Sequence, residues 1–137
     1  MSRTDYNRKI IDEFRANNGI LGGDFADMPL LILTNKGAKS GLIRENPLAY
    51  TRDNDRYIVI ASFAGATFSP PWYHNVVAHP EVTLEVGSEK FTARAEVVKE
   101  PERTALYEAM AEKMPVFTEY QNKTSRVIPV LALTRTG

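Results

Sequence analysis

The segment from Thr34 to Arg44, Thr-Asn-Lys-Gly-Ala-Lys-Ser-Gly-Leu-Ile-Arg, places two glycines among Lys39, Ser40 and Arg44. Gly37 and Gly41 allow a tight turn that directs backbone N–H groups toward one point. Lys39 adds a point charge, Ser40 a hydroxyl and Arg44 a planar guanidinium fork. An anion, and a phosphate above all, suits that set. Turns of this composition also occur as plain solvated connections, so the residues alone leave both readings open.

A second group lies downstream. Ala61-Ser62-Phe63-Ala64-Gly65-Ala66 consists mostly of small residues that leave room for a flat ligand close to the backbone. It is followed by Pro70-Pro71-Trp72, where the single tryptophan beside two prolines reads either as a rigid wall or as a core anchor. Phe117 and Tyr120 follow Pro115 on a late segment that either caps the mouth of the fold or packs as an ordinary helix. The two histidines, His74 and His79, are five residues apart and do not make the i, i+4 pair of helical metal sites, so no metal is expected. No nucleophile-elbow serine and no Gly-rich dinucleotide fingerprint is present, which removes the support for those hydrolases and dehydrogenases.

The elements that must position these groups can be read from periodicity. Ile10, Ile11 and Phe14 fall at helical spacing before Asn17-Asn18-Gly19, giving a helix over Tyr6 to about Asn18. Runs at 30–34, 44–51, 57–61, 82–86, 91–98 and 127–133 read as strands, with 44–51 and 57–61 forming a hairpin through Asp53-Asn54-Asp55. Trp72–Ala78 is a short helix. A longer one runs from 101 to about 114 with Leu106, Met110 and Met114 on its apolar face, and 117–122 adds another turn. Pro129 places the last strand near an edge or bulge. The expectation is α+β: a closed or partly closed barrel of about six mostly antiparallel strands, with helices over one opening.

Length and composition set the frame. A chain of 137 residues with 43% hydrophobic and 25% charged residues suits one soluble domain, 1–137, with an N-terminal helix within 1–18 free to move against it. Equal counts of 17 cationic and 17 anionic residues argue against nucleic acid as a partner. With no cysteine there is no thiolate or disulfide chemistry. No secretory apolar region follows Met1 and no apolar run reaches the ~20 residues of a membrane span, so a cytoplasmic location is expected. The helix face Ile10-Ile11-Phe14, beside Arg8, Lys9 and Arg15, either packs on the barrel or a partner subunit or touches the inner face of a membrane peripherally.

Five blocks in order, Thr34-x-x-Gly37-x-Lys39-Ser40-Gly41-x-x-Arg44-x-x-Pro47-Leu48, Ala61-Ser62-x-x-Gly65, Trp72-Tyr73-His74-Asn75, Pro80-Glu81-Val82 and Arg126-Val127-Ile128-Pro129, resemble the deazaflavin-dependent nitroreductase family from about residue 6 to the end. The resemblance implies a split β-barrel, related to FMN-binding split barrels, that binds the 8-hydroxy-5-deazaflavin coenzyme F420. It implies hydride transfer from the reduced ring to an electron-poor small molecule such as a quinone, an activated enone or a nitro compound. By position, Lys39 and Arg44 would hold the cofactor phosphate with the Ala38, Ser40 and Gly41 backbone around it. Pro47, Ala61, Ser62 and Trp72 would surround the ring, and the Ala64 and Gly65 amides would meet the linker. Family members often carry a tyrosine on the substrate side where this chain has Phe117, which argues against nitro reduction and leaves Tyr120 as the neighbouring phenol. The alternatives are an FMN-dependent oxidoreductase of the same fold and a non-catalytic deazaflavin carrier. The chain is expected as a monomer or homodimer.

Overall fold

A computed structural model describes residues 3–20, 29–62 and 69–137. Eleven elements occur in the order α1 (Arg3–Ala16), β1 (Leu30–Lys36), β2 (Ile43–Ala49), β3 (Thr51–Asp53), β4 (Arg56–Ile60), α2 (Pro71–Ala78), β5 (Glu81–Val86), β6 (Glu89–Val97), α3 (Glu102–Lys113), α4 (Val116–Asn122) and β7 (Val130–Arg135). The strands form one antiparallel sheet in the order β2-β1-β5-β6-β7-β4-β3. Its two edges, β2 and β3, are consecutive in the chain and separated only by Tyr50. One bent strand therefore touches both ends of the sheet, and the sheet must curl into a barrel to allow it. Counted this way the barrel has six strands. The expected hairpin of 44–51 with 57–61 is corrected: β2 pairs with β1 along its whole length, and only Thr51–Asp53 pairs with β4.

Alternation assigns the faces. Leu31, Leu33, Tyr57, Val59, Leu84, Phe91, Leu131 and Leu133 point into the barrel and form its core. The residues between them point outward. Ile32 meets Ile10, Ile11 and Phe14 of α1. Ile58, Ile60, Val130 and Ala132 meet α3 and α4 through Tyr107, Met110, Met114 and Phe117. Strands covered on both faces read as unbroken apolar runs, which is why β1, β4 and β7 show no alternation. On β6, by contrast, Phe91, Ala93 and Ala95 are buried while Thr92, Arg94 and Glu96 face water.

Three expectations change. Pro129 does not mark an edge, because it precedes β7 and β7 lies between β6 and β4. Its carbonyl accepts a hydrogen bond from the Ala61 N–H, so proline enters where the ladder needs no donor from it. Of the helices, α2 contributes Trp72 and Val76 to the barrel interior, whereas α3 and α4 lie along the outer wall instead of across the mouth. The outward side chains of β4 and β7 are apolar and require that cover. Finally, the α1 face offered to a membrane is occupied: Ile10, Ile11 and Phe14 are buried against β1. Each such side chain contributes about 1.5–3 kcal/mol by leaving water.

Candidate active site

The β1–β2 turn is held by its own hydrogen bonds. The Gly37 N–H donates to Leu42 O at 2.8 Å and the Gly41 N–H to Gly37 O at 3.0 Å. The Leu42 N–H donates to Ser40 Oγ at 3.1 Å. Gly41 adopts φ +72°, which favours glycine, and a Cβ on Gly37 would displace the Ser40 hydroxyl that accepts from Leu42. The glycine N–H groups are thus used within the turn, which the glycines shape. The amides outside the turn's own hydrogen bonds are those of Lys39 and Ser40.

A chain of asparagines ties this turn to the core. The Ala38 N–H donates to Asn75 Oδ1 on α2 at 2.9 Å. Asn75 Nδ2 donates to Asn35 Oδ1 at 2.8 Å, and Asn35 Nδ2 to Asn46 Oδ1 at 2.9 Å. Asn35, 2% exposed, occupies an inward position in line with Leu31 and Leu33. Sequence reasoning passed over Asn35 and Asn46. The signal was there, since Asn35 follows Leu33 by two in a strand and a polar residue on the core face needs partners.

Ala38, Lys39, Ser40, Gly41 and Arg44 are all exposed, and Lys39 and Arg44 have no carboxylate within salt-bridge distance among the described residues. An open turn bearing two such cations fits the phosphate of an organic cofactor. The groups expected around the ring divide between the two faces of the sheet. Ala61 and Trp72 are buried in the barrel core, and Ser62 is half-buried at the end of β4. Pro47 stands opposite Ile32 on the outer face, where α1 also packs. Ala64 and Gly65 lie outside the described residues.

The outer face of β2 runs between two covered regions. At Glu45 it is bridged to Arg8 and Arg15 of α1, and at Ala49 it packs against the cluster under α4. Half-buried Pro47 lies between these two regions on the same outer face of β2. Tyr120 is half-buried on α4, and its ring meets that of Phe117 edge-on at 5.7 Å. Phe117 itself is buried in the cluster beneath α4.

Two further anchors fix this region. Arg103 donates to Ile128 O at 2.8 and 3.0 Å and to Gln121 Oε1 at 2.8 Å, while Gln121 Nε2 donates to Arg126 O at 2.8 Å. The Tyr107 hydroxyl donates to Phe117 O at 2.6 Å, and burial raises its pKa. Arg126 donates to Ala61 O at 3.2 Å and Ser69 Oγ at 3.1 Å, tying the end of β4 to the segment before β7. Arg103 and Tyr107 could be found by spacing, since they share the buried stripe of Met110 and Met114; Leu106, assigned to that stripe from the sequence, is only partly buried.

A curled antiparallel barrel closed by one bent strand, with an exposed cationic turn at one end, is the split-barrel arrangement. The model of the F420H(2)-dependent quinone reductase family matches residues 6–135, and the chain belongs to that family. An F420H(2)-dependent quinone reductase of Mycobacterium tuberculosis is 39% identical over 126 residues, 89% of this chain and 85% of that one. Among solved structures, an F420-H2 dependent reductase named FDR-A superposes with TM-score 0.71 at 36% identity, covering 77% of this chain and 93% of that one. Another, described as a domain-swapped dimer, gives TM-score 0.73 at 34% identity and covers 96% and 99%. The protein is accordingly an F420H2-dependent reductase with coenzyme F420 as its cofactor.

Proposed function

We propose that the outer face of β2 at Pro47 forms a trough between α1 and α4, in which the enzyme delivers a hydride from reduced F420 to a flat quinone. The observation that carries this reading is the pair of cations, Lys39 and Arg44, at the rim of the turn, which no carboxylate among the described residues neutralises. They would hold the cofactor phosphate, with the Lys39 and Ser40 amides beside it and the Ala38 and Gly41 backbone setting its position. Pro47 would support the ring from the trough floor. Ser62, with Ala64 and Gly65, would meet the linker near the end of β4, while Ala61 and Trp72 would fix that end from the core. Bound F420 supplies the hydride donor, and the protein supplies position and a site shielded from water.

Tyr120 would face the acceptor, with Phe117 behind it holding its ring in place. An aromatic wall without a second phenol favours stacking over proton donation, so quinones should be better acceptors than nitro compounds or enones. Fluorescence titration with oxidised F420, FMN and FAD, followed by steady-state turnover of one quinone and one nitroaromatic, tests the reading. F420 should bind tightest and the quinone should give the higher kcat/KM. FMN binding as tight as F420, or preference for the nitroaromatic, would overturn it.

A homodimer is the second part of the proposal. Exposed Val77 and Val97 flank a depression of about 230 Å³ lined also by Val76, Pro80, Ala95 and Leu131, with Arg94, paired to Glu81, at its edge. An apolar strip between α2 and β6 suits a second copy of the chain. Among the described residues no helix is long and apolar enough to cross a membrane, and a cytoplasmic site of action is proposed on the composition. Sedimentation equilibrium of wild type and Val97→Glu checks the dimer, which the charge should dissociate.

A further inference from the structure

Lys39 and Arg44 can attract a phosphate, but attraction alone does not fix where it sits. A free turn must be ordered when a ligand arrives, and that ordering weakens binding. In this chain the ordering is built into the fold. Trp72 and Val76 root α2 in the barrel core, so Asn75 between them projects from a fixed support. Its Oδ1 takes the Ala38 N–H, the first amide beyond Gly37. Asn35 stabilises Asn75 from below, and its own amide nitrogen lies within bonding distance of Asn46 Oδ1, Leu33 O at 3.3 Å and Arg44 O at 3.4 Å. The same side chain thus reaches α2 and the backbone of Arg44.

We propose that the Asn75–Asn35–Asn46 chain is a positioning device for the phosphate-binding turn, with buried Asn35 its hub. It aligns the Lys39 and Ser40 amides and the base of Arg44 before the cofactor binds. The inference rests on the reading of the turn as the phosphate site. An aliphatic residue at position 35 would extend the line of Leu31 and Leu33 and enlarge the core, yet the position holds an amide with all of its polar atoms partnered. A need to hold the turn accounts for that choice.

The experiment compares two ligands: F420, and a phosphate-free deazaflavin carrying only the ring and its polyol chain. Dissociation constants are measured by fluorescence for wild type, Asn75→Ala, Asn35→Ala, the double variant and Lys39→Ala, with thermal melts as a check on folding. Asn75→Ala and Asn35→Ala should each weaken F420 about tenfold, the scale of one lost hydrogen bond in a charged site, and leave the phosphate-free ligand unchanged. The double variant should be no weaker than the poorer single one, because the residues act as one unit. Equal losses for both ligands would make the chain a general scaffold and overturn the proposal. If the asparagine variants bind F420 normally while Lys39→Ala does not, the proposal fails and the phosphate site stands. Normal binding by Lys39→Ala as well removes the phosphate site and the proposal with it. Should Asn35→Ala not fold, half-exposed Asn75 decides between these outcomes alone.

Discussion

Arg44 and Glu45 are neighbours on β2, yet they belong to two differently constructed charged regions. On the outer face, Glu45 is bridged to Arg8 at 3.0 Å and to Arg15, and Arg15 also reaches Glu85 at 2.8 and 2.9 Å. Every charge there has an opposite within reach, and the network pins α1 to β2 and β5. At the turn, Lys39 and Arg44 face water with no carboxylate beside them among the described residues, and the backbone there is held by neutral amides. Paired charges consume one another's field and serve the fold. Cations held near a rigid turn and left unpaired keep their field for a ligand. The difference separates structural from functional arginines more sharply than residue type does.

The largest expected effect lies on the paired side. Phe14→Ala removes a buried ring from the α1 contact with Ile32 and should cost about 3–4 kcal/mol of stability in chemical denaturation. The folded variant should still bind F420 within about twofold, a margin below ~0.5 kcal/mol. A large loss of affinity in a sample shown to be folded would mean that α1 is part of the site and would erase the distinction. Lys39→Ala and Arg44→Ala should do the reverse. Each should weaken F420 by about 1.5–3 kcal/mol and change stability by less than ~0.5 kcal/mol. Unchanged affinity in both would return the turn to an ordinary solvated connection.

A smaller effect comes from the ion network. Arg15→Met keeps much of the aliphatic stem and removes the guanidinium from a side chain that is 37% exposed, so solvent screening limits the loss to about 1 kcal/mol. Its pH dependence has a definite sign. Burial pushes the Glu45 carboxyl up, but hydrogen bonds from Arg15 and Arg8 outweigh burial and hold it below its ordinary value of 4.5. A depressed carboxylate stabilises the fold above its unfolded pKa, and the contribution disappears as pH falls through the folded value. Wild type should therefore lose its advantage over Arg15→Met as the pH of the melts falls below the ordinary carboxylate value and Glu45 protonates. A gap that persists once the carboxylate is protonated would show that packing of the arginine stem, not charge, holds α1.

Much of this was legible in the chain. The turn residues, the strand runs and the 102–113 helix follow from local chemistry, and the five-block resemblance identified cofactor and fold. Sequence could not show that the run 44–51 breaks at Tyr50, because the bend is imposed by closing the barrel and not by a glycine or proline. Nor could it show which face each residue of β4 serves, since Ile58 and Val59 are equally apolar and are buried in different clusters. The same blindness grouped Pro47 with Ala61 and Trp72, which lie on opposite faces of the sheet. Asn35 was hidden for another reason: its role depends on Asn75, forty residues away, and long-range amide contacts leave no local pattern.

The smallest expected effect on binding concerns α4, which belongs to neither charged region and packs on the outward side of β4 and β7. Phe117 is packed under the helix against Tyr107 and Tyr120, so a hydroxyl added to its ring enters an apolar cluster before it reaches the trough. Phe117→Tyr should cost about 1–2 kcal/mol of stability through that buried hydroxyl and alter the ratio of quinone to nitroaromatic kcat/KM by less than about twofold. Tyr120 is half-exposed at the helix surface and has the better access to an acceptor. Tyr120→Phe should move the ratio further toward the quinone, by about two- to fivefold, because a phenol that orients a nitro group is lost while the stacking surface remains. F420 affinity should be the same in all three proteins. A larger change from Phe117→Tyr than from Tyr120→Phe would mean that α4 swings away from the wall to admit substrate. An identical ratio in all three would place the acceptor elsewhere, on the side of the ring toward α1, and the trough would then serve the cofactor alone.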